Sequence, residues 1–488
     1  MNLEKGTLLP EKMKHFNLNF IPAKIGVYIV GGCVRDALMG NKPEDFDIVV
    51  DGDTVSVAEE IAARTGTRVI ELGKPGKKIY RVQSESAIFD VSPLKGNTVT
   101  GDLTQRDFTV NSMAIDVCTR EIIDPTGGCD DIKKKIVRMT SADVFRDDPI
   151  RLLRAFRITA GLGFTLDTGT MEEIRRNASA ITAVAGERIR EEWIRLLGMP
   201  DSVDALRHMS QAGLLAAIFP ELAALKNCSQ NEHHEFDVLE HTLAVYHRLE
   251  TLLHRDNPRL SDHFSNIGLA GGGKPPGPSR TTETDAHAAA LLKHAALLHD
   301  IGKPATRKTD AKENVHFYGH ETAGFFMVRT ISDRLRFSSR WKNYVSFLVR
   351  HHLRPLFLYI AQSKGRKKNL ARTRFFLRTD PFSPDLILLF AADMMGKKKD
   401  PAGSCEPPEV MEFARAVLSD YFDGFRPKRQ CSPPISGRDL MTCFGLRPSP
   451  LIAEILEKVE LQYLAGYITD KAEALGFAES YIRSKNRS

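Results

Sequence analysis

The chain has 488 residues, of which 42% are hydrophobic and 27% charged, with a net charge of +6 and a pI near 8.8. This length implies more than one domain, the composition excludes a disordered or fibrous protein, and the mild positive charge permits a polyanionic partner without demanding one. Seven cysteines without a C-x-x-C pair exclude a disulfide framework and a zinc knuckle, and with no signal-peptide pattern and no apolar run of spanning length they predict a soluble cytoplasmic protein without a membrane partner.

Residues 1–22 read as a loose lead-in. The apolar run Val27-Tyr28-Ile29-Val30 then suits a buried strand and is followed at once by Gly31-Gly32. A glycine pair there lets the backbone approach a large anion, with the N–H groups that open the next helix, which carries Arg35 and Asp36, aimed at it. Past Pro43, the strand Asp45 to Val50 places Asp45 and Asp47 on one face and Phe46 and Ile48 on the other. Two adjacent carboxylates repel unless a cation lies between them, so the pair beside a phosphate cradle reads as a divalent-metal site for phosphoryl transfer.

Thr54 to Thr65 reads as an amphipathic helix. Strands are expected at Arg68–Leu72 and Ile79–Gln83, joined by the turn Gly73 to Gly76, and again over Ser86–Val91, where Ile88 and Asp90 share a face. Asp90 is therefore a third candidate carboxylate, with a solvent-side strand end as the bland alternative. Asp107 and Asn111, four apart, share a face if they lie on a helix. Asp124 to Arg138 reads either as a glycine hinge or as a surface turn. Asp148-Pro149 reads as an N-cap and first helical residue, with Ile150, Leu153 and Phe156 as the core stripe and Arg151, Arg154 and Arg157 as another stripe. Residues 140–225 read as helical almost throughout. The Gly-, Pro- and Ser-rich insert 255–287 reads as a flexible loop, and Arg426–Ser436 as an irregular linker. Basic clusters at 133–135, 364–368 and 397–399 are solvated faces or phosphate contacts.

The GG-x-V-R-D run from Gly31 to Asp36, followed by the Asp45-Phe46-Asp47 strand, resembles the head of the class II tRNA nucleotidyltransferase and bacterial poly(A) polymerase family. The stretch Arg106-Asp107-Phe108-Thr109-Val110-Asn111 resembles the family motif R-R-D-F-T-x-N-A, with Gln105 and Ser112 as departures. The resemblance implies that Arg106, Asp107 and Asn111 lie near the nucleotide sugar and triphosphate. It also implies that Asp148 and Arg151 read the incoming base, with Arg154 and Arg157 beside the nucleotide. Glu187 and Arg188, in a stretch similar to E-R-I-x-x-E, would orient the base-reading side chains. A carboxylate accepting from the exocyclic amine of C or A, and a guanidinium donating to the adjacent ring acceptor, would reject G and U.

Further on, His241, His299-Asp300 and Asp393 stand in the order His, His-Asp, Asp, which resembles the HD phosphohydrolase superfamily. His320 and one of His351 or His352 would extend this to a two-metal site, with His351 taken as the ligand. The tail, with Gly437-Arg438-Asp439-Leu440 and a Pro-rich turn, resembles the family's tail. The implied fold is α+β: a polymerase-beta-like nucleotidyltransferase head with a mixed sheet over 22–138, a helical neck and body over 139–230, an HD domain over 231–400, and a helical tail over 430–488.

The implied activity is template-independent addition of CCA, or part of it, to tRNA from CTP and ATP. Mg2+ would bind at Asp45 and Asp47, and a divalent metal of the Mg, Mn, Ni or Fe class at the HD residues. The alternatives are a CC-only enzyme, a poly(A) polymerase, and an HD phosphohydrolase with an RNA-binding head. Only fifteen residues, Val91 to Gln105, separate Asp90 from Arg106, where family members that build the whole CCA end carry a longer, mobile segment. Loss of that segment goes with CC-only addition. The oligomeric state is not legible in the sequence.

Overall fold

Eight strands form one mixed sheet in the N-terminal part of the chain: β1 (Thr7–Leu8), β2 (Val27–Val30), β3 (Asp45–Val50), β4 (Val69–Lys74), β5 (Lys77–Gln83), β6 (Ile88–Pro93), β7 (Ala114–Asp116) and β8 (Glu121–Ile123). Their order is β1-β8-β7-β2-β3-β6-β5-β4, antiparallel at every pair except β3 and β6. The computed structural model describes residues 7–8, 18–74, 77–230, 236–253, 281–363, 368–397 and 408–485. The chain divides into two compact units, one of residues 1–196 with 204–218, the other of 197–203 with 219–488.

In the first unit the side-chain alternation of β3 and β6 separates structure from chemistry. Ile29, Phe46, Ile48, Val82, Phe89 and Val91 are buried on one face, against helices α1 (Gly32–Leu38) and α2 (Thr54–Thr65). Phe46 and Phe89 are in-register neighbours whose rings stack at 5.2 Å. Burying one such ring contributes about 2 kcal/mol relative to exposure. The other face carries Asp45, Asp47 and Asp90. Helix α2 has the start and stop that its sequence announces: Asp53 accepts from the N–H groups of Val55 and Ser56, and Gly66 closes it at a φ of 67°.

Several expectations are corrected. The lead-in contributes β1, paired with β8. Strands β4 and β5 run to Lys74 and from Lys77, so residues expected in the turn extend the ladder. Asp107 to Asn111 is not an α-helix, because α3 (Val99–Thr104) ends before it and only Thr109–Asn111 forms a 3-10 turn. The Asp124 segment is closed by local bonds in this structure. Asp124 accepts from the N–H groups of Gly128 and Cys129 at the start of α4 (Gly128–Lys134), and a Cβ on Gly128 would lie 2.2 Å from the Thr109 carbonyl oxygen. That glycine serves close packing.

The short helix α5 (Val144–Asp147) ends at Asp148, and α6 begins only at Arg151, running to Leu162. Asp148 thus has the extended backbone of a cap, its carbonyl accepts from the Arg151 N–H at 3.1 Å, and the Ile150 N–H and an arginine described below both act on its carboxylate. Ile150, Leu153 and Phe156 are buried as expected. Helices α7 (Thr168–Asn177) and α8 (Gly186–Leu197) follow, α7 preceded by a two-residue strand, Thr165–Leu166, on Ile136–Val137.

Among the described residues the second unit is helical apart from a two-stranded ribbon, 308–309 with 315–316. Its core helices are Val238–Leu253, Thr281–Leu298, His320–Arg334, Ser339–His351 and Ser383–Met395. The insert 255–287 lies outside the described residues up to 280, and a helix begins at Thr281, within the stretch expected to be a loop. Lys364 to Arg366, Lys367, Lys398 and Lys399 also lie outside them. The expected linker at 426–436 instead opens as a helix over Arg426–Gln430, continuing a π-helical turn; Pro427 in its first turn has no N–H to leave unpaired. In the tail, Ser436 and Asp439 form a reciprocal capping box on Gly437–Phe444.

Candidate active site and metal centre

The head site is built where β2 stops. Gly31 has a φ of 84°, and a Cβ there would lie 3.2 Å from Arg106 Nη1 and 3.3 Å from Asp47 Oδ2. A side chain would therefore be strained and would push the arginine and the carboxylate apart. On α1, Arg35 donates to Asn111 Oδ1 at 2.6 Å and pairs with Asp36. Asn111 in turn donates to Asp107 Oδ1 at 3.3 Å, so the 3-10 turn brings together the pair expected on a helix face.

These groups line a cavity of about 800 Å³ with Asp47, Asp148 and six cationic side chains: Arg35, Lys95, Arg106, Arg151, Arg154 and Arg157. That lining suits a polyphosphate with a base at one end. The arginines are held. Arg106 pairs with the buried Asp102 at 2.9 Å, Arg154 with Asp107 at 2.9 Å and Arg157 with Glu192 at 2.5 Å. Arg151 donates to the Gln105 carbonyl at 3.1 Å. Asp148 receives both arms of Arg188, from the first turn of α8, at 3.0 and 2.7 Å. Burial works against ionisation of Asp148, but Arg188 outweighs it and holds the carboxyl below its usual value. Glu187 stands beside Arg188 and is not part of the cavity lining.

Asp45 and Asp90 flank Asp47 on the sheet face rather than lining the cavity. Asp47 and Asp90 are direct partners across β3 and β6. Burial, then the charges of Asp90 and Asp45, push the Asp47 pKa up against the pull of Arg106 and Arg154. Three oxygen donors on one face, one of them reluctant to ionise among the others, fit a hard divalent cation, whose charge would reverse that shift. Asp90 is held by Arg81 of β5 through two hydrogen bonds of 2.7 Å. Arg81, Asp102 and Lys95 were not singled out from the sequence. The period-two pattern of 79–83 places Arg81 opposite Asp90 only once the pairing of β5 with β6 is known.

In the second unit two donor groups adjoin: His241, His299 and Asp393, and Asp300, His320 and His352. All but Asp393 are buried. In all four histidines Nδ1 faces a backbone carbonyl, at Gly396, Ala296, Phe317 and Val349, 2.7 to 3.2 Å away. Each Nδ1 must then carry the proton, which turns every Nε2 lone pair towards the carboxylates. Nε2 of His320 and of His352 face each other at 3.2 Å, and His241 Nε2 is 3.1 Å from Asp393. Lone pairs and carboxylates converging in this way fit divalent cations, with imidazole donors suited to a transition metal. Burial of His299 disfavours its protonation, yet Asp300 and Asp393 hold its pKa up. Lys303 pairs with Asp300 at 2.6 Å.

His351 is not part of this cluster. Its ring packs on Phe347, and Nδ1 accepts from Arg354 at 2.9 Å. The histidine that joins Asp300 and His320 is His352, which continues the buried stripe Val345, Leu348, Val349 at helical spacing. That periodicity would have separated the two histidines. A cavity of about 840 Å³ opens beside His320 and Lys303 and is also lined by Glu321, Arg350, Arg354 and Phe357.

Comparison with known proteins gives matches in both units. Residues 27–138 match the poly A polymerase head domain, 163–226 the probable RNA and SrmB-binding site of polymerase A, and 238–395 the HD domain. Fold and matches together define an enzyme with a metal-dependent nucleotidyltransferase head and an HD domain. The A-adding tRNA nucleotidyltransferase of Deinococcus radiodurans is 30% identical over 94% of this chain and 96% of its own, and the CC-adding tRNA nucleotidyltransferase of Thermus thermophilus is 30% identical over 95% of each. The Thermotoga maritima CCA-adding enzyme complexed with tRNA shares the fold, with a TM-score of 0.61 at 19% identity over 94% of this chain and 91% of that one. The chain belongs to the tRNA nucleotidyltransferase family, in its class II form. No helix among the described residues is long and apolar enough to cross a membrane.

Proposed function

We propose that this protein adds cytidines, two in succession, to the 3′ end of tRNA from CTP and leaves the terminal adenosine to another enzyme. The observation that carries the CC-only reading is the connection between Asp90 and Arg106. Strand β6 extends to Pro93 and α3 starts at Val99, and the turn between them is tied down by Asp102, which accepts from the Lys95 N–H at 3.2 Å and pairs with Arg106. A site that changes from C to A must re-form its base pocket, and a pinned connection offers no lever for that change.

Asp45 and Asp47, with Asp90 beside them, would hold magnesium, which when bound supplies neutralisation of the triphosphate and activation of the attacking hydroxyl. Gly31 and Gly32 leave room for the phosphates, and Arg35, Arg106 and Arg154 bind them. Asn111 and Asp107 fix the orientation of Arg35 and Arg154. Asp148, aligned by Arg188, accepts from the exocyclic amine of the base while Arg151 donates to the ring; Glu187 supports that end of the site, and Arg157 braces α6 against α8 through Glu192.

The HD residues His241, His299, Asp300, His320, His352 and Asp393 would hold one or two divalent cations. The adjoining cavity, with Lys303, Arg350 and Arg354, fits a phosphoester, and we assign it metal-dependent phosphohydrolase activity.

The test is extension of tRNA transcripts ending at the discriminator base, at C and at CC, with CTP alone, ATP alone and both. Two cytidines and a stop are expected. Addition of A to the CC-ended transcript overturns the CC-only reading, and long A tracts would make the protein a poly(A) polymerase. Asp47→Asn should abolish extension, by at least about 10³-fold.

A further inference from the structure

We propose that the open face of β4, β5 and β6 seats the last nucleotide of the RNA strand being extended, with Arg81 holding its phosphate and Ile70, Leu72 and Ile79 backing its sugar and base. The inference rests on the nucleotidyl-transfer reading.

Register defines the surface. Asp47, Asp90, Arg81 and Ile70 are successive partners across β3, β6, β5 and β4, so all four side chains stand on one face. Leu72 and Ile79, paired two residues along, stand on the same face. The opposite face is the core against α1 and α2, but here Ile70, Leu72 and Ile79 are 39%, 37% and 38% exposed. Three large aliphatic side chains in the open, continuous with a row of carboxylates, are costly unless something covers them.

Direction of attack says what does. The cationic cavity lies on the β2 side of Asp47, with Gly31, Arg35 and Arg106. In phosphoryl transfer the attacking and leaving oxygens are roughly in line across the phosphorus. With the triphosphate on the β2 side, the attacking 3′ hydroxyl comes from the β6 side, past Asp90. The first cation it meets there is Arg81, whose side chain is 40% exposed. Arg81 spends Nε and one Nη2 hydrogen on Asp90, and its fork has five N–H groups, so it can hold the carboxylate and a phosphate together. The aliphatic trio offers a base or ribose a surface without hydrogen-bond demands, suited to a strand end whose sequence changes as it grows.

The full chain is tested with a 5′-labelled tRNA transcript ending at the discriminator base, for binding in EDTA across a salt series and for extension with CTP. Arg81→Ala should raise the Kd and the KM for tRNA about tenfold, lower the salt slope by about 0.7, and leave the KM for CTP within about twofold. Arg81→Lys should recover most of the affinity. Leu72→Ser with Ile79→Ser should weaken binding without changing the slope. Asp90→Asn should bind tRNA more tightly than wild type while extending it more slowly, which loss of a merely structural ion pair would not produce. An unchanged Kd for Arg81→Ala, or equal rises in KM for CTP and tRNA, overturns the proposal. A wild-type chain that binds tRNA through Arg81 yet extends nothing would instead sink the nucleotidyl-transfer reading.

Discussion

Arg188 lays its guanidinium across both oxygens of Asp148, joining the start of α8 to the point where α5 gives way to α6. Asp148 is on the cavity wall, so this fork fixes the plane of the carboxylate offered to an incoming base. Arg188→Ala leaves the acid in place and frees its rotation. The expected result is a loss of about 10²-fold in kcat/KM for CTP, with relatively more UTP accepted, because a misplaced acceptor stops distinguishing an amine from a carbonyl. The acid limb of the pH profile should move up in the variant, since Arg188, with the Ile150 N–H and Arg151 adding to it, holds the Asp148 pKa down against burial. Competition between CTP and UTP measured from pH 5 to 8 checks both. An unchanged C:U ratio would mean that Asp148 does not read the base.

Gly31→Ala tests the cradle. The backbone conformation, φ 84° with ψ −143°, is one that glycine alone adopts readily and costs another residue roughly 1–3 kcal/mol, and the new methyl must displace Arg106 or Asp47. The thermal midpoint should fall by a few degrees, and the KM for CTP should rise about tenfold or more with tRNA affinity retained.

Much of the head was legible because its signals are local. Alternation along Asp45 to Val50 sorted core from carboxylates, and the residues of α2 announced both of its ends. Long-range pairing was not legible. The resemblance brought Arg188 to the base-reading side chains, where it meets Asp148 from forty positions on, but nothing near Asp90 says that Arg81 is folded back on it. His351 and His352 differ by one residue and 100° of helix, so the error there came from leaving the buried stripe of Ser339–His351 unread.

That difference can be measured directly. His352→Ala removes an Nε2 that faces both His320 and Asp300, whereas His351→Ala removes a ring that packs on Phe347 and accepts from Arg354, away from the donor groups. The His352 variant should lose divalent metal, by about 10-fold to 100-fold in affinity, when the protein is dialysed against Mn2+ or Ni2+ and its metal content determined. The His351 variant should bind as wild type does. The reverse pattern would restore His351 as the ligand. Neither variant should alter CTP incorporation, which uses groups in the other unit.

His294 makes the second unit acid-sensitive apart from its metal cluster. It lies buried in the helix Thr281–Leu298, its ring stacked on Phe337 at 5.4 Å and close to Phe219 at 6.0 Å. Burial pushes its pKa down from 6.5 to about 3. The unfolded chain therefore takes up a proton as pH falls below 6.5 while the folded chain does not. The stability linked to this histidine is fully present above pH 6.5 and drains away as pH falls towards 3, at up to about 1.4 kcal/mol per pH unit. His294→Phe keeps an aromatic ring in the stack and cannot take up the proton. Between pH 7.5 and 5, with the divalent cation held constant, the variant should lose about 2 kcal/mol less unfolding free energy than wild type, read from urea midpoints. Parallel curves would place the acid sensitivity elsewhere, with His352 as the next group to substitute, because burial pushes its pKa down to about 3 as well.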